Sequence, residues 1–380
     1  MAEVVKVFKK TSPNGKVTAY LGRRDFVDHL THTAPISGAI LVDDDYLKGR
    51  KVFAKVTITF RYGREEDEVM GLHFTKEYEL VTAEITPKAD DAQLSAVQTQ
   101  LIEKLGASAR PFSVALPENA PASVTLEPGD GDSDKPLGVL YELMFFVGES
   151  EEENPHRQNS VAFSVRKVQF APSKHDNSRP YTMVSRTFTL APGHLNLEIA
   201  LNQDIYLHGQ PVETIIKVVN KSKRTVKSVV AQVIQHVEVT MTNSHFSRVV
   251  ASIESREGCP ITPDSTLERS IELKPLASNM RRFGVALDGR VKDMDANLAS
   301  STVAPTGKDI EDALGIIVSY SVRMKLLCGA ISGNLSAEVP FKLMHPDPEA
   351  QAAKPEETFE VTEFSSIRRG KSVDEVDEED

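Results

Sequence analysis

Short runs in which apolar and polar residues alternate recur along most of the chain, separated by Gly, Pro, Asn and Asp. Alternation with a period of two is typical of strands that bury one face. In the first half it predicts strands over Val4–Lys10, Val17–Leu21, Ile36–Val42, Arg50–Arg61, Met70–Leu80, Val124–Leu126, Leu137–Val147 and Ser160–Phe170. In the second half it predicts strands over His194–Leu201, Val212–Asn220, Val226–Met241, Ser265–Leu273, Arg282–Leu287, Gly315–Leu327 and Ser332–Leu343. Short strands at this spacing favour β-sandwiches over βαβ units.

One segment has a helical period instead. The apolar residues recurring at that spacing are Leu94, Val97, Leu101, Ile102 and Leu105. Gly106 follows at the position where a glycine ends many helices. We therefore predict one short amphipathic helix over about residues 92–106, with its apolar stripe packed on the adjacent sandwich.

A chain of 380 residues is long for one compact core, so we expect two domains. The polar, proline-containing stretch 173–180 favours a boundary there. The predicted architecture is all-β, with two immunoglobulin-like β-sandwich domains of about seven strands each. We assign residues 1–173 to the N-terminal domain, 174–181 to a hinge and 182–345 to the C-terminal domain. Residues 346–380, rich in Glu, Ala, Lys and Pro, are predicted to form a flexible acidic tail.

Composition narrows the possible partners and the compartment. The net charge of −11 argues against general nucleic-acid binding. No apolar run approaches the roughly 20 residues that span a bilayer, and the first residues lack a signal-peptide core. The chain has only two cysteines, which fits a reducing compartment. We expect a cytosolic protein.

Three carboxylates, Asp288, Asp293 and Asp295, fall within eight residues and are interleaved with Arg290 and Lys292. From the residues alone it is either a solvated loop or, with a distant His, the site of a metal-dependent hydrolase. The chain has no nucleophile elbow, phosphate-binding glycine loop or paired His or Cys metal motif. We therefore expect neither enzymatic activity nor a cofactor or bound metal.

Lys9 and Lys10 lie on opposite faces of the first predicted strand. Lysines there either protect a sheet edge or capture phosphate, which carries roughly −2 charge on a phosphorylated side chain. The pattern alone leaves both interpretations open.

Several short strings, in order, resemble segments of arrestins. They are Val7–Lys10, Ser12–Lys16, Arg24–His29, Phe60–Glu65, Arg166–Pro172, Leu287–Lys292, Asp295–Thr302, Gly315–Tyr320 and Leu343–Pro346. Together they cover the chain from about residue 4 to about residue 346, and we identify it as a member of that family.

The resemblance implies four sets of functional residues. Receptor phosphates would contact Lys6, Lys9, Lys10, Arg24, Lys104 and Lys292. A buried polar core joining the two domains would consist of Asp25, Arg166, Asp288 and Asp295. A three-element clamp of strand, helix and tail would consist of Val7, Phe8, Val97, Leu101, Leu105 and Phe364. A finger loop that enters the activated receptor would include Gly63, Arg64, Glu68, Val69, Met70, Gly71 and Leu72.

The tail departs from the family pattern. Aligning on Phe364 puts Ser366 where the family has the arginine of its polar core, with Arg368 and Arg369 just beyond. This departure predicts a weaker interdomain lock and less dependence on receptor phosphates, unless one of those arginines reaches in. Ser372 follows basic residues and resembles a kinase target.

Two features bear on further partners. Phe364 and Arg368 match two of the three residues of the motif for the AP2 adaptor, whereas Val361 replaces the first Phe. No clathrin box occurs after residue 346, so direct clathrin binding is not expected. The basic cluster 220–227 is either a solvated turn or a site for inositol phosphates or anionic lipid, although Ile234 and Gln235 interrupt the family's basic pattern.

The resemblance implies an arrestin that binds an activated, phosphorylated G-protein-coupled receptor and blocks G-protein coupling. The clathrin-box-free tail favours a visual, rhodopsin-quenching arrestin, recruited from the cytoplasm to the photoreceptor membrane. The alternatives are a β-arrestin-like endocytic adaptor and a vesicle-sorting scaffold with the same fold.

Overall fold

The computed structural model describes residues 4–62, 75–86, 94–106, 108–127, 137–172, 178–188, 191–277, 284–289, 297–304, 315–329, 333–346 and 358–363. For residues 4–6, 191 and 358–363 it describes the backbone only. Among all these residues, no helix is long and apolar enough to cross a membrane.

The first half of the chain is built from short strands and helices. Its strands are β1 (Val4–Thr11), β2 (Val17–Leu21), β3 (Asp25–Asp28), β4 (Thr33–Ala34), β5 (Ile36–Val42), β6 (Lys51–Arg61), β7 (Thr75–Glu84), β8 (Arg110–Val114), β9 (Val124–Leu126), β10 (Leu137–Gly148) and β11 (Ser160–Gln169). The α-helices are α1 (Asp44–Leu47) and α2 (Ala96–Leu105), and a short 3-10 helix spans Arg157–Asn159.

All regular elements described in the second half of the chain are strands. They are β12 (Tyr181–Phe188), β13 (Ala191–Leu201), β14 (Ile205–Leu207), β15 (Val212–Asn220), β16 (Ser228–Val239), β17 (Ser244–Ser255), β18 (Thr266–Leu273), β19 (Ala286–Asp288), β20 (Ile316–Leu327), β21 (Leu335–Met344) and β22 (Thr358–Glu363). The predicted all-β class is confirmed.

Two sheets form the N-terminal sandwich. One has the order β22-β1-β2-β5-β8. In the other, β10 pairs with β6, β9 and β11, and β11 continues into a parallel pairing with β3. The rings of Phe112 on β8 and Phe145 on β10 lie 4.7 Å apart, which shows that the two sheets face each other across the core.

The C-terminal sandwich combines the sheet β12-β13-β15-β18 with the sheet β14-β21-β20-β16-β17. Alternate side chains of β21 are buried and exposed, as expected for a strand with one face on a core. Leu195 and Ile216 from the first sheet are buried in the same cluster as Val322 and Met324 from the second.

Helix α2 is fixed to the N-terminal sandwich by its start and by its apolar face. Ser95 and Gln98 form a reciprocal capping box, so the helix begins at Ala96 rather than near residue 92. The Gln98 side chain also donates to the Phe112 carbonyl at 2.7 Å. Leu101 is only 2% exposed and packs on the sheet that contains β1, β2 and β5.

Strand β19 belongs to the C-terminal half of the chain but pairs with β9 of the N-terminal sandwich. Ala286 lies opposite Leu126, and Asp288 lies opposite Val124. Backbone hydrogen bonds extend this pairing, from Glu127 to the Val285 carbonyl at 2.8 Å and from Gly284 to the Glu127 carbonyl at 2.9 Å. The backbone of β19 therefore connects the two sandwiches directly.

Several elements differ from the sequence prediction. The predicted strand Arg282–Leu287 is described only as β19, and residues 278–283 lie outside the described residues. The strands β3, β4, β8, β12, β14, β17 and β22 and the helix α1 were not predicted. Each sandwich consequently has more strands than the seven expected. The domain limits and the hinge 174–181 stay predictions, and residues 173–177 lie outside the described part of the chain.

Candidate functional site

The centre of the candidate site is an ion pair between Arg166 and Asp25. The parallel pairing of β11 with β3 places these residues directly opposite each other. The guanidinium donates through Nε to Asp25 Oδ1 and through Nη2 to Oδ2, both at 2.8 Å. The side chains keep 17% and 33% of their exposure, respectively. A partly buried, bidentate pair of this kind is among the stronger ion pairs in proteins.

The next part of the site is the end of β19. Arg166 Nη1 lies 3.5 Å from the carbonyl oxygen of Gly289, which follows Asp288. Asp288 is 4% exposed and accepts a hydrogen bond from the Ser300 backbone at 3.2 Å, and its other oxygen contacts His345 Nε2. Thus Arg166 touches both Asp25 and the bridging segment. Asp295 lies outside the described residues, so the predicted four-residue polar core is described only in part.

Two polar contacts beside this ion pair were missed by sequence reasoning. Lys167 and Asp28 form a buried salt bridge at 3.0 Å. The Gln169 amide donates to the Val303 carbonyl at 3.1 Å and accepts from the Val303 amide at 3.1 Å. The side chains of Asp28, Lys167 and Gln169 lie in the strings Arg24–His29 and Arg166–Pro172, which the parallel register of β3 and β11 aligns. The sequence alone does not show that these two strings pair.

Gln235 holds β19 from the C-terminal side. It is fully buried, and its amide donates to the Ala286 carbonyl at 2.9 Å and accepts from the Ala286 amide at 2.8 Å. It also donates to the Tyr320 hydroxyl at 2.8 Å, and this hydroxyl donates to the Ala299 carbonyl at 2.6 Å. Because β19 pairs with β9 on one edge and with Gln235 on the other, the strand contacts both domains.

The predicted phosphate-binding residues lie on and around β1. Lys10 Nζ donates to the Ala162 carbonyl of β11, and burial lowers the pKa of this lysine while Glu142 opposes that effect. The guanidinium of the buried Arg24 lies 4.7 Å from the ring centroid of Phe8, a cation–π contact. Lys9 is half-buried and Lys104 is exposed in the last turn of α2. The side chain of Lys6 and all of Lys292 lie outside the description.

The predicted clamp is partly assembled. One apolar cluster contains Val7 of β1 together with Val97, Leu101 and Leu105 of α2. Phe8 does not belong to it: this residue packs on the main sandwich core instead. The reason is strand geometry, since successive side chains of β1 point to opposite faces. Phe364 lies outside the described residues.

The tail contributes a strand to the N-terminal sandwich. Strand β22 runs parallel to β1, with Val4 opposite Thr358 and Lys9 opposite Glu363. Without β22, β1 would be an edge strand with open backbone hydrogen-bonding groups. The tail thus covers the strand that carries Lys9 and Lys10.

This arrangement predicts the effect of two truncations. Deleting residues 358–380 is expected to open the edge of β1, so that its backbone amides exchange hydrogen faster, as measured by mass spectrometry. Deleting only residues 370–380 keeps β22 and serves as the matched control, which should exchange like the full chain. Unchanged exchange in the longer deletion would show that β22 does not protect β1.

The predicted finger-loop residues Gly63, Arg64, Glu68, Val69, Met70, Gly71 and Leu72 lie outside the described residues, as do Arg368 and Ser372. The flanking strands are described: β6 and β7 are antiparallel, with Arg61 opposite Thr75. The predicted strand Met70–Leu80 is described only from Thr75 onward.

The basic cluster 220–227 is an ordered turn. Asn220 is fully buried, and its amide donates to the carbonyls of Arg224 at 2.7 Å, Ile261 at 3.1 Å and Thr262 at 3.1 Å. Its lysines at positions 221, 223 and 227 are exposed. The buried Gln235, in contrast, is not available to an anion from solvent.

Comparisons with known proteins cover both halves of the chain. Residues 17–171 match the family model "Arrestin (or S-antigen), N-terminal domain", and residues 191–348 match "Arrestin (or S-antigen), C-terminal domain". The chain is 50% identical to "Arrestin homolog" of Locusta migratoria, over 95% of this chain and 91% of the relative. It is 52% identical to "Arrestin, lateral eye" of Limulus polyphemus, over 90% of this chain and 85% of the relative. It is 46% identical to "Phosrestin-1" of Drosophila melanogaster, over 98% of this chain and 92% of the relative. Two sandwiches connected by β19, with both halves of the chain matched by the family's domain models, make this chain a member of the arrestin family.

Proposed function

We propose that this arrestin binds an activated, phosphorylated G-protein-coupled receptor and blocks its coupling to the G protein. The observation that carries the proposal is the bidentate Arg166–Asp25 pair beside the strand that connects the two domains. A receptor phosphate, with roughly −2 charge, would compete with Asp25 for the guanidinium. Its arrival would weaken the contacts of Arg166 with Asp25 and with Gly289, and so allow the domains to rearrange.

The basic residues of β1 offer a route for such a phosphate. Lys9 and Lys10 lie next to each other on the strand, and Arg24 lies over Phe8 of the same strand. Docking of β22 on β1 keeps the tail beside these cations until a stronger anion replaces it. The predicted residues Lys6, Lys104 and Lys292 would add to the positive charge. We further propose that Asp295 completes the polar core and that the finger loop 63–72 enters the receptor.

We infer that the receptor is a rhodopsin and that the protein acts from the cytoplasm at the photoreceptor membrane. Support comes from the relative named for the lateral eye and from the tail, which has no clathrin box. Members of the arrestin family are non-enzymatic signalling proteins, and we propose that this chain is not an enzyme either.

The proposed block is tested by measuring receptor-catalysed nucleotide exchange on the G protein. Adding the purified chain to phosphorylated, light-activated rhodopsin is expected to slow exchange in proportion to its concentration. An unrelated protein of similar size and net charge, added at the same concentrations, is the control for nonspecific effects. Exchange that continues at the same rate at saturating wild-type protein would contradict the proposal.

We further propose two secondary partners. The exposed lysines at positions 221, 223 and 227 would contact inositol phosphates or anionic lipid, and their replacement by Gln should reduce binding to liposomes that contain phosphoinositide. Phe364 and Arg368 would give limited binding to the AP2 adaptor, and their replacement by Ala should abolish it in a pull-down. Unchanged binding in either variant would remove that partner.

A further inference from the structure

Three side chains that are far apart in the sequence meet beside the strand that connects the two domains. They are His208, Asp288 and His345, and one ligand atom from each lies within 4.8 Å of the others. The rings of His208 and His345 have centroids 4.3 Å apart, and His345 Nε2 contacts Asp288 Oδ2. We propose that these three residues form a binding site for a divalent transition-metal ion such as Zn²⁺.

The backbone fixes the relative positions of the three residues. The His208 amide donates to the Met344 carbonyl at 3.0 Å, which holds His208 next to His345. The His345 carbonyl accepts from the Ala171 amide at 2.8 Å, and the Asp288 amide donates to the Asn297 carbonyl at 3.0 Å. Only small side-chain adjustments would then bring the ligand atoms to metal-binding distance. Positions fixed in this way favour tight and specific binding.

The chemistry of the ligands selects the kind of ion. Two imidazoles and one carboxylate are ligands that suit Zn²⁺ and Co²⁺, whereas Mg²⁺ and Ca²⁺ prefer oxygen. His345 keeps 16% of its side-chain exposure, which leaves an approach for the ion and a water ligand.

Neighbouring groups would hold the ligands in place. The Ser300 amide donates to Asp288 Oδ1 at 3.2 Å, which leaves Oδ2 facing His345. The Ser300 hydroxyl lies 3.2 Å from His208 Nε2 and would be displaced from that nitrogen by the ion. Hydrogen bonds to metal ligands orient them and raise metal affinity.

A bound ion would connect three segments of the interdomain region. Asp288 ends the strand β19, which pairs with the N-terminal sandwich, whereas His208 and His345 follow strands of the C-terminal sandwich. His345 also bridges Phe170 of the N-terminal half. The ion would therefore hold β19 against the C-terminal domain, independently of the Arg166–Asp25 pair.

The test uses the full-length chain after treatment with a chelator. Titration with Co²⁺ is expected to give the visible absorption of a tetrahedral nitrogen–oxygen site, with one ion bound per chain, and Zn²⁺ should displace it. The variants His208→Gln and His345→Gln should each weaken binding by about tenfold or more. His32→Gln is the matched control and should bind like the wild type, because the exposed His32 stacks on His29 and is not one of the three ligands.

Absence of the absorption band, or binding unchanged in both ligand variants, would overturn the proposal. Loss of binding in His32→Gln would do the same, since it would assign the ion to the other histidine pair. If either ligand variant fails to fold, X-ray absorption spectroscopy of the Zn²⁺-loaded wild type decides the question. Two imidazoles in the first shell are expected there, and a shell of oxygen atoms alone would contradict the site.

Discussion

Arg166→Glu is expected to bind activated receptor equally well with and without receptor phosphorylation. The substitution places a carboxylate opposite Asp25, so repulsion replaces the bidentate pair and the contact with Gly289 is lost. The variant therefore lacks the Arg166 contacts with Asp25 and Gly289 even before it meets a receptor phosphate. Binding to phosphorylated and unphosphorylated rhodopsin, measured by co-sedimentation, should differ by less than about twofold.

The same variant should be less stable. Breaking a buried ion pair costs about 3–5 kcal/mol, and we expect about 3 kcal/mol here because Asp25 keeps 33% of its side-chain exposure. Arg157→Glu makes the same charge change at an exposed position before β11 and should alter neither stability nor phosphate dependence. If Arg166→Glu still required phosphorylation, the ion pair would not be the phosphate sensor.

Gln235→Leu is expected to destabilise the connection between the domains. Leucine has a similar volume but cannot bond to the Ala286 amide and carbonyl, which Gln235 satisfies at 2.8 and 2.9 Å. The Ala286 carbonyl still accepts from the Ala299 amide at 2.9 Å, so only the buried Ala286 amide is left without a partner. Such a group costs about 1–3 kcal/mol, and we expect a loss of that size in urea denaturation. Hydrogen exchange at Ala286 should also become faster.

The matched control for this variant lies three residues earlier on the same strand. Gln232 contacts Ser252 at 3.4 Å on the outer face of β16, so Gln232→Leu should change stability by less than about 0.5 kcal/mol. Equal effects of the two substitutions would mean that the bonds to Ala286 do not hold β19 in place.

Long strands with one buried face were predictable from the sequence, because the alternation in their residues reflects burial itself. Val212–Asn220 was predicted with its observed limits, and Gly315–Leu327 differs from the observed strand by one residue. Short strands were not predictable: Asp25–Asp28 has four residues, and its existence depends on pairing with β11, over 140 positions away in the chain. In β22, likewise, the partner rather than the local sequence determines the structure.

In the candidate site, too, the features that depend on contacts between distant segments could not be predicted from the residues themselves. Nothing in the spacing of Asp25 and Arg166 indicates that they meet, and only the resemblance to arrestins suggested it. The structure then added contacts that neither route predicted, namely Lys167–Asp28, Gln235–Ala286 and the His208–Asp288–His345 cluster. Each depends on a sheet pairing or a chain crossing between distant segments, which a single sequence does not reveal.

The most direct test of the account is co-sedimentation of the wild-type chain with rhodopsin membranes in four states: dark or activated, and phosphorylated or not. The account predicts strongest binding to activated phosphorylated rhodopsin, weaker binding to activated unphosphorylated rhodopsin, and least binding in the dark. Binding that is the same in all four states, or absent from all of them, would contradict it.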